Sequence, residues 1–188
     1  MPRPPRVQLA GGVYHVVSRG NRQQTIFCDD CDYARFLDVL GAVVVRLGWK
    51  CHAYCLMPNH FHLVIETPEP NISAGMQRLN STYAQWFNRR YGYTGHLFQG
   101  RFYGQLVEST YHLLELARYV VLNPVRAGLC SEAHGWSWSS YRAVVGEVAR
   151  AGFLTVGWLL GQFGRDPRRA RDTFRQFVLD APSKPRPP

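Results

Sequence analysis

The chain has 188 residues and a formal net charge of +9, with 46% hydrophobic and 19% charged residues. This length and composition fit one globular domain with an ample core and exclude an intrinsically disordered protein. Arginine supplies nearly all of the positive charge, because Lys50 and Lys184 are the only lysines. The planar guanidinium group can bond a phosphate through two hydrogen bonds, so the excess favours a nucleic-acid partner, although a solvated basic surface would give the same total.

Membrane and secretion signals are not found in the sequence. There is no apolar run of about 18 residues, so we expect no membrane span. Residues 1–12 lack the apolar segment of a signal peptide and are predicted to form a flexible basic arm. Five cysteines, an odd number, argue against a disulfide framework. These observations together predict a cytoplasmic protein.

The first half of the chain shows the patterns of three strands and one helix. Apolar residues recur at spacings of three and four between Tyr33 and Leu47, which predicts an amphipathic helix. Alternating or β-branched stretches on either side predict strands. In chain order the elements are a strand at 13–18, a helix that begins at Asp29 or Asp30 and ends at Gly48, and strands at 49–56 and 60–67.

The second half adds two helices and one strand. A second helix is predicted from Asn71 or Ser73 to Gly92, a strand at 102–108, and a third helix from Ser109 or Thr110 to Asn123-Pro124. The first six elements follow the ferredoxin-like order, an α+β fold in which helices pack on one face of a four-stranded antiparallel sheet. We assign this domain to 13–130, and predict that 131–188 form a partly helical C-terminal extension with a disordered tail.

Two histidines lie in the predicted third strand. Side chains alternate across a strand, so His60 and His62 project to one face and Phe61 to the other. Their Cα atoms would lie about 6.6 Å apart, close enough for two imidazoles to hold one divalent ion. Two histidines that face solvent or pack on a helix would show the same spacing, so both interpretations stay open.

A tyrosine and an asparagine share one face of the predicted third helix. Asn123 follows Tyr119 by four residues and therefore lies one turn further along. The tyrosine oxygen could act as a nucleophile while the amide oxygen binds an ion. A core tyrosine in a row with Leu116 and Val120 would give the same pattern, so these residues alone do not decide between the two roles.

Four segments resemble the single-tyrosine HUH transposases of bacterial insertion sequences, and most closely their REP-associated tyrosine transposase branch. They occur in the order of that family. They are YHVVSRGNRQQTIF (14–27), LMPNHFHLVIET (56–67), GHLFQGRF (95–102) and RYVVLNPVRAGL (118–129).

The resemblance implies a function for each of these residues. His60 and His62 would bind a divalent metal, Mg²⁺ or Mn²⁺, and Tyr119, which precedes the NP dipeptide, would be the nucleophile. Asn123 stands where the family has a polar residue that completes the metal site. The implied activity is metal-dependent cleavage and joining of single-stranded or hairpin DNA through a 5′-phosphotyrosine intermediate, by a monomer or a homodimer.

Basic and aromatic side chains are candidates for holding this DNA. Arginines would bond phosphates and exposed aromatic rings would stack on bases, at roughly 1 to 3 kcal/mol for each base. The candidates are Arg19, Arg22, Arg78, Arg89, Arg90, Arg101, Arg126, Tyr83 and Tyr103.

Two other functions fit parts of the pattern. A domesticated relative could bind hairpin DNA or RNA without cutting it, although all three residues of the implied chemistry are present here. An RNA-binding protein of the RRM type would share the fold, but it would carry aromatic residues where the histidines stand.

Four cysteines have the sequence spacing of a split zinc site, with Cys28 and Cys31 followed by Cys51 and Cys55. On an extended strand, however, the last two would lie about 13 Å apart. One ion cannot reach both through Zn–S bonds of about 2.3 Å. We therefore expect no structural zinc.

Overall fold

The computed structural model describes residues 8–181. The first seven residues of the predicted arm and the predicted disordered tail, from residue 182 onward, lie outside them. The elements are β1 (Gly12–Arg19), α1 (Asp30–Leu47), β2 (Lys50–Met57), β3 (His60–Thr67), α2 (Ile72–Tyr91), β4 (Tyr103–Leu106), α3 (Thr110–Arg126), α4 (Tyr141–Val144), α5 (Gly157–Gly161) and α6 (Pro167–Leu179), with short 3₁₀ turns at Asn21–Gln23 and Ala133–Gly135.

The strands form one antiparallel sheet in the order β2-β3-β1-β4. Strands β1 and β3 are central and pair over their whole length, from Gly12 opposite Thr67 to Arg19 opposite His60. This order confirms the predicted ferredoxin-like α+β fold, and the helices that follow residue 130 confirm the helical C-terminal extension. Among residues 8–181, none of the helices is both long and apolar enough to cross a membrane.

Helices pack on both faces of the sheet. Helices α1 and α2 cover one face, where Val16, Phe61 and Leu63 are fully buried in the main core. Helix α3 covers part of the other face, where Leu116 and Val120 join a smaller cluster with residues from β2 and β3. The prediction of helices on one face therefore holds for α1 and α2. Helix α3 packs on the opposite face, where apolar residues of β2 and β3 alternate with those of the main core.

Two of the predicted DNA contacts have partners within the fold beside α1. Tyr83 is fully buried, and its hydroxyl donates to the Ile26 carbonyl at 2.5 Å, so its ring offers no surface to a base. Arg90 pairs with Asp29 at 2.6 Å and with the fully buried Asp32 at 2.7 Å. Since Arg90 compensates a buried carboxylate, it serves the fold, and both residues leave the set of DNA contacts.

Helix α3 does not end at Asn123-Pro124 but continues to Arg126. Proline has no N–H for the carbonyl one turn earlier, which normally breaks a helix. Here the Asn123 side-chain nitrogen donates to the carbonyls of Tyr119, at 2.9 Å, and Val120, at 3.4 Å. The side chain replaces the missing donor, and the helix passes through the proline.

The C-terminal extension covers the outer edge of β2. Leu56 donates its backbone N–H to the Trp138 carbonyl at 2.9 Å, and Thr155 donates to the Cys51 carbonyl at 2.7 Å. Further on, α6 packs on α3 through Phe174 and Val178. The extension is thus continuous with the domain, and it lies at the sheet edge opposite to β4.

A β-bulge in β2 separates its two cysteines. The pairing register shifts between Cys51 and Ala53. As a result, Cys51 lies in the main core and Cys55 in the cluster under α3. Burial raises the pKa of the Cys51 thiol to about 12. The two thiols cannot meet at one ion.

Candidate active site

The two strand histidines lie beside each other on the face that carries α3. The register places His60 opposite Arg19 and His62 opposite Val17 on β1. The ring centroids of His60 and His62 are 5.0 Å apart, and His62 is only 5% exposed. The strand alternation predicted this pair, and the structure brings the two imidazoles together.

A third histidine, His15 on β1, joins them. Its Nε2 lies 3.0 Å from Nδ1 of His62, and the two rings stack with centroids 5.2 Å apart. His15 was not predicted as a site residue. The alternation of β1 alone could have placed it on one face, but only the pairing of β1 with β3, which joins residues 47 positions apart, brings it to His62.

Tyr119 lies above these rings on α3. Its ring centroid is 5.7 Å from that of His62 and 6.1 Å from that of His15. The Arg126 guanidinium lies 4.9 Å from the centroid of the tyrosine ring, two turns further along the helix. A cation over the ring holds the ring in place.

Burial keeps all three imidazoles neutral near pH 7. It lowers the pKa of His15 to about 4, with a smaller contribution from His112. It also lowers the pKa of His60 to about 4, with a contribution from Arg19. The pKa of His62 is lowered well below its usual value, again mainly by burial. Neutral imidazoles are the form that binds metal ions.

A cavity of about 440 Å³ opens over this cluster. Basic and aromatic residues stand at its sides, and the segment 98–101 borders it. Arg19, Arg101 and Tyr103, all three predicted to contact DNA, line it together with His62 and Tyr119. Tyr103 is 56% exposed.

The other predicted residues, including His60, do not line the cavity. Arg126 is on the Tyr119 ring, whereas Arg22 lines a separate groove beside residues 92–97. Arg78 and Arg89 are exposed on α2. Asn123 uses its amide nitrogen to bond the α3 backbone and does not line the cavity, and its role as the third metal ligand stays a prediction.

His62, which lines the cavity, and the neighbouring His60 offer an ion two imidazoles. Among residues 8–181, no group of three or more histidine, cysteine, aspartate or glutamate side chains is arranged to hold a metal. Two neutral imidazoles still fit a divalent ion, because an ion with open positions can take phosphate oxygens and water as its other ligands. The donor set therefore fits an ion that is shared with a substrate.

Comparisons with known proteins identify relatives of the chain. Residues 9–123 match the family described as IS200-like transposases. A REP-associated tyrosine transposase solved in complex with a REP hairpin superposes with a TM-score of 0.66 at 19% identity, over 84% of this chain and 91% of that one. A putative transposase from Deinococcus radiodurans R1 gives a TM-score of 0.45 at 17% identity, over 64% of this chain and 94% of that one. No curated protein sequence matches the chain significantly.

The family match covers well over half of the chain and includes the strand histidines, Tyr119 and the cavity between them. The structural likeness confirms the fold. The chain therefore belongs to the IS200-like transposase family, a family of DNA-processing enzymes that act in transposition.

Proposed function

We propose that this protein is a metal-dependent single-stranded DNA endonuclease and strand transferase that acts at hairpins through a 5′-phosphotyrosine on Tyr119. The observation that carries the proposal is the cavity in which Tyr119, His62 and two arginines meet, with the tyrosine ring 5.7 Å from the His62 ring. The known hairpin complex of the REP-associated relative supports a hairpin substrate. A site built from one chain also supports action as a monomer.

The reaction is a transesterification. The Tyr119 oxygen forms a bond to the scissile phosphorus, and the bond from phosphorus to the 3′ oxygen breaks. The phenol proton leaves Tyr119 and a proton reaches the departing 3′ oxygen, so the products are a 5′-phosphotyrosine and a free 3′-OH. A 3′-OH from a second strand reverses the same step and joins the DNA, and therefore no external energy source is needed.

Residues of this chain would prepare that step. Arg126 lies over the Tyr119 ring and would hold it in position for the attack. Arg19 and Arg101 line the cavity and can hold the phosphates on either side of the scissile bond. An ion such as Mg²⁺ or Mn²⁺ held by His60 and His62 would supply Lewis-acid polarisation of the phosphate.

Covalent trapping tests the proposal. Labelled hairpins from palindromes that flank the gene are incubated with the protein and Mn²⁺ or Mg²⁺, and adducts are separated on a denaturing gel. We expect a metal-dependent adduct in the wild type that is lost in Tyr119→Phe. Tyr111→Phe is the matched control, because Tyr111 lies on the same helix with 74% of its surface exposed.

Three results would overturn the assignment. An adduct that persists in Tyr119→Phe would show that another residue is the nucleophile. An adduct that forms equally well in EDTA would show that the reaction does not need a metal ion. Tight hairpin binding without an adduct under any metal would instead establish the non-cleaving DNA- or RNA-binding protein.

A further inference from the structure

Both strand histidines use the same ring nitrogen within the protein. His60 Nδ1 lies 2.7 Å from Oδ1 of Asn59, and His62 Nδ1 lies 3.0 Å from Nε2 of His15. Within the described part of the chain, no protein group hydrogen-bonds to Nε2 of either residue. Both histidines of the strand thus keep the same ring nitrogen, Nε2, without a hydrogen-bond partner in the protein.

The chemistry of imidazole makes this pattern informative. A neutral ring carries one N–H, and the nitrogen without hydrogen is the one that binds a metal ion. If Nε2 is to bind, Nδ1 must carry the hydrogen and must find an acceptor. Each of the two rings therefore needs an acceptor at Nδ1.

Asn59 is such an acceptor for His60. Its side-chain nitrogen donates to the Gln23 carbonyl at 3.1 Å, which turns its oxygen toward His60. The carbonyl belongs to a turn in which Arg22 and Gln23 adopt φ angles of 53° and 60°. Such a conformation is costly for residues other than glycine, so the contacts of the turn hold this carbonyl in position.

His15 can be the acceptor for His62. Its ring is buried at 5% exposure and is packed by His62 and Tyr119. With the hydrogen on its own Nδ1, its Nε2 accepts the bond from His62. A phenylalanine or leucine would fill this place without the cost of burying a polar ring, so a polar residue here points to a use for its nitrogen.

We propose that His15 and Asn59 are positioning residues that hold His62 and His60 in the Nδ1–H tautomer, so that both Nε2 atoms face one divalent ion. The proposal deepens the function proposed above and rests on it only for the identity of the ion. His15 lines the cavity, but in this scheme neither positioning residue binds the ion. Each acts through the histidine beside it.

The tautomers can be measured directly in the protein without metal or DNA. Long-range ¹H–¹⁵N NMR spectra distinguish Nδ1–H from Nε2–H rings. We expect His60 and His62 as Nδ1–H tautomers in the wild type, and a shift toward Nε2–H for His62 alone in His15→Phe. Finding His62 as Nε2–H in the wild type would overturn the proposal.

Mn²⁺ affinity gives the second readout, measured by calorimetry on the full chain without DNA. His15→Gln keeps an acceptor near the position of Nε2, whereas the oxygen in His15→Asn falls short of it. We expect His15→Gln to bind within a few-fold of the wild type, and His15→Asn and His15→Phe to bind about 10- to 100-fold more weakly. The matched control is His134→Gln, because His134 is 59% exposed in the C-terminal extension.

Asn59 is tested in the same way. Asn59→Asp keeps an oxygen for His60 and should retain Mn²⁺ binding, whereas Asn59→Ala should weaken it about 10-fold or more. Thermal unfolding of each variant identifies loss of fold, and the comparison of His15→Gln with His15→Asn remains valid if His15→Phe does not fold.

The outcomes separate this inference from the proposed function. Equal Mn²⁺ affinity in His15→Gln and His15→Asn, or no Mn²⁺ binding by the wild type, would overturn the positioning role. If the wild type forms no adduct, but the variants change the tautomers and the Mn²⁺ affinity as expected, the positioning role is retained and the cleavage activity is refuted.

Discussion

The two faces of the sheet are made by alternate residues of the same strands, yet they differ in chemistry. On the face under α1 and α2, Val16 and Phe61 are fully buried among other apolar side chains. On the opposite face, His15 and His62 are buried almost as deeply, with Tyr119 above them. Burying apolar side chains stabilises the folded state, whereas burying polar rings destabilises it. The first face therefore stabilises the fold, whereas the second carries the groups that we propose to be reactive.

The largest effect is expected for a substitution on the second face, which should slow adduct formation and leave stability almost unchanged. His62→Ala removes one of the two imidazoles offered to the ion, so we expect adduct formation to slow about 1000-fold or more. The free energy of unfolding should change by less than about 1 kcal/mol, since no apolar contact of the main core is lost. Single-turnover adduct formation with Mn²⁺ and urea unfolding measure the two quantities. Adduct formation within about tenfold of the wild type would contradict the metal role.

A substitution of the neighbouring residue, on the first face, should instead reduce stability. Phe61 is fully buried, with its ring centroid 4.5 Å from that of Phe36. Phe61→Ala should lower the free energy of unfolding by about 3 to 5 kcal/mol because it leaves a cavity in the core. Urea unfolding monitored by circular dichroism gives the value, and His62→Ala is its matched control. If both variants lost the same stability, the division between the faces would be wrong.

A smaller effect is expected at the edge of the second face. Arg126→Leu removes the cation over the Tyr119 ring, and we expect adduct formation to slow about tenfold while hairpin affinity changes little. The control is Arg168→Leu on α6, an exposed arginine far along the chain. Weaker hairpin binding with an unchanged rate of adduct formation would show instead that Arg126 contacts DNA.

The smallest expected effect tests which arginines contact DNA and which stabilise the fold. Arg101 lines the cavity, so Arg101→Gln should weaken hairpin binding and lower the slope of log K against log salt by about 0.7, the value for one phosphate of a single strand. Arg90→Gln should leave the slope unchanged and reduce stability, because the buried Asp32 loses its cationic partner. Fluorescence anisotropy across a salt series measures the slope, and equal slopes in Arg101→Gln and the wild type would exclude a phosphate contact.

Local patterns in the sequence were sufficient for the strand pair and for most of the fold. The alternation around Phe61 predicted that His60 and His62 share a face, and the spacing of apolar residues predicted α1 and α2. The extent of α3 was not predictable from its proline, because the Asn123 side chain replaces the missing donor in a way that depends on its rotamer.

Long-range contacts explain the rest. His15 became a site residue only through the pairing of β1 with β3. Tyr83 left the site because five aromatic neighbours surround it. Arg90 and Arg101 are the same residue type in basic segments, and only their partners in space distinguish a structural cation from a free one. Sequence identifies which groups are able to do the chemistry, whereas tertiary pairing decides which of them do it.

The covered edge of β2 also has a consequence for the order of folding. Tyr54 on this strand bonds Ser140, which lies 86 residues later in the chain. During synthesis the strand leaves the ribosome several seconds before the segment that completes its hydrogen bonds, at about 5 to 20 residues per second. Contacts this distant in sequence slow folding, because a long loop must close before they form. We therefore expect the nascent chain to depend on chaperones during that interval, although the finished protein has its edge covered.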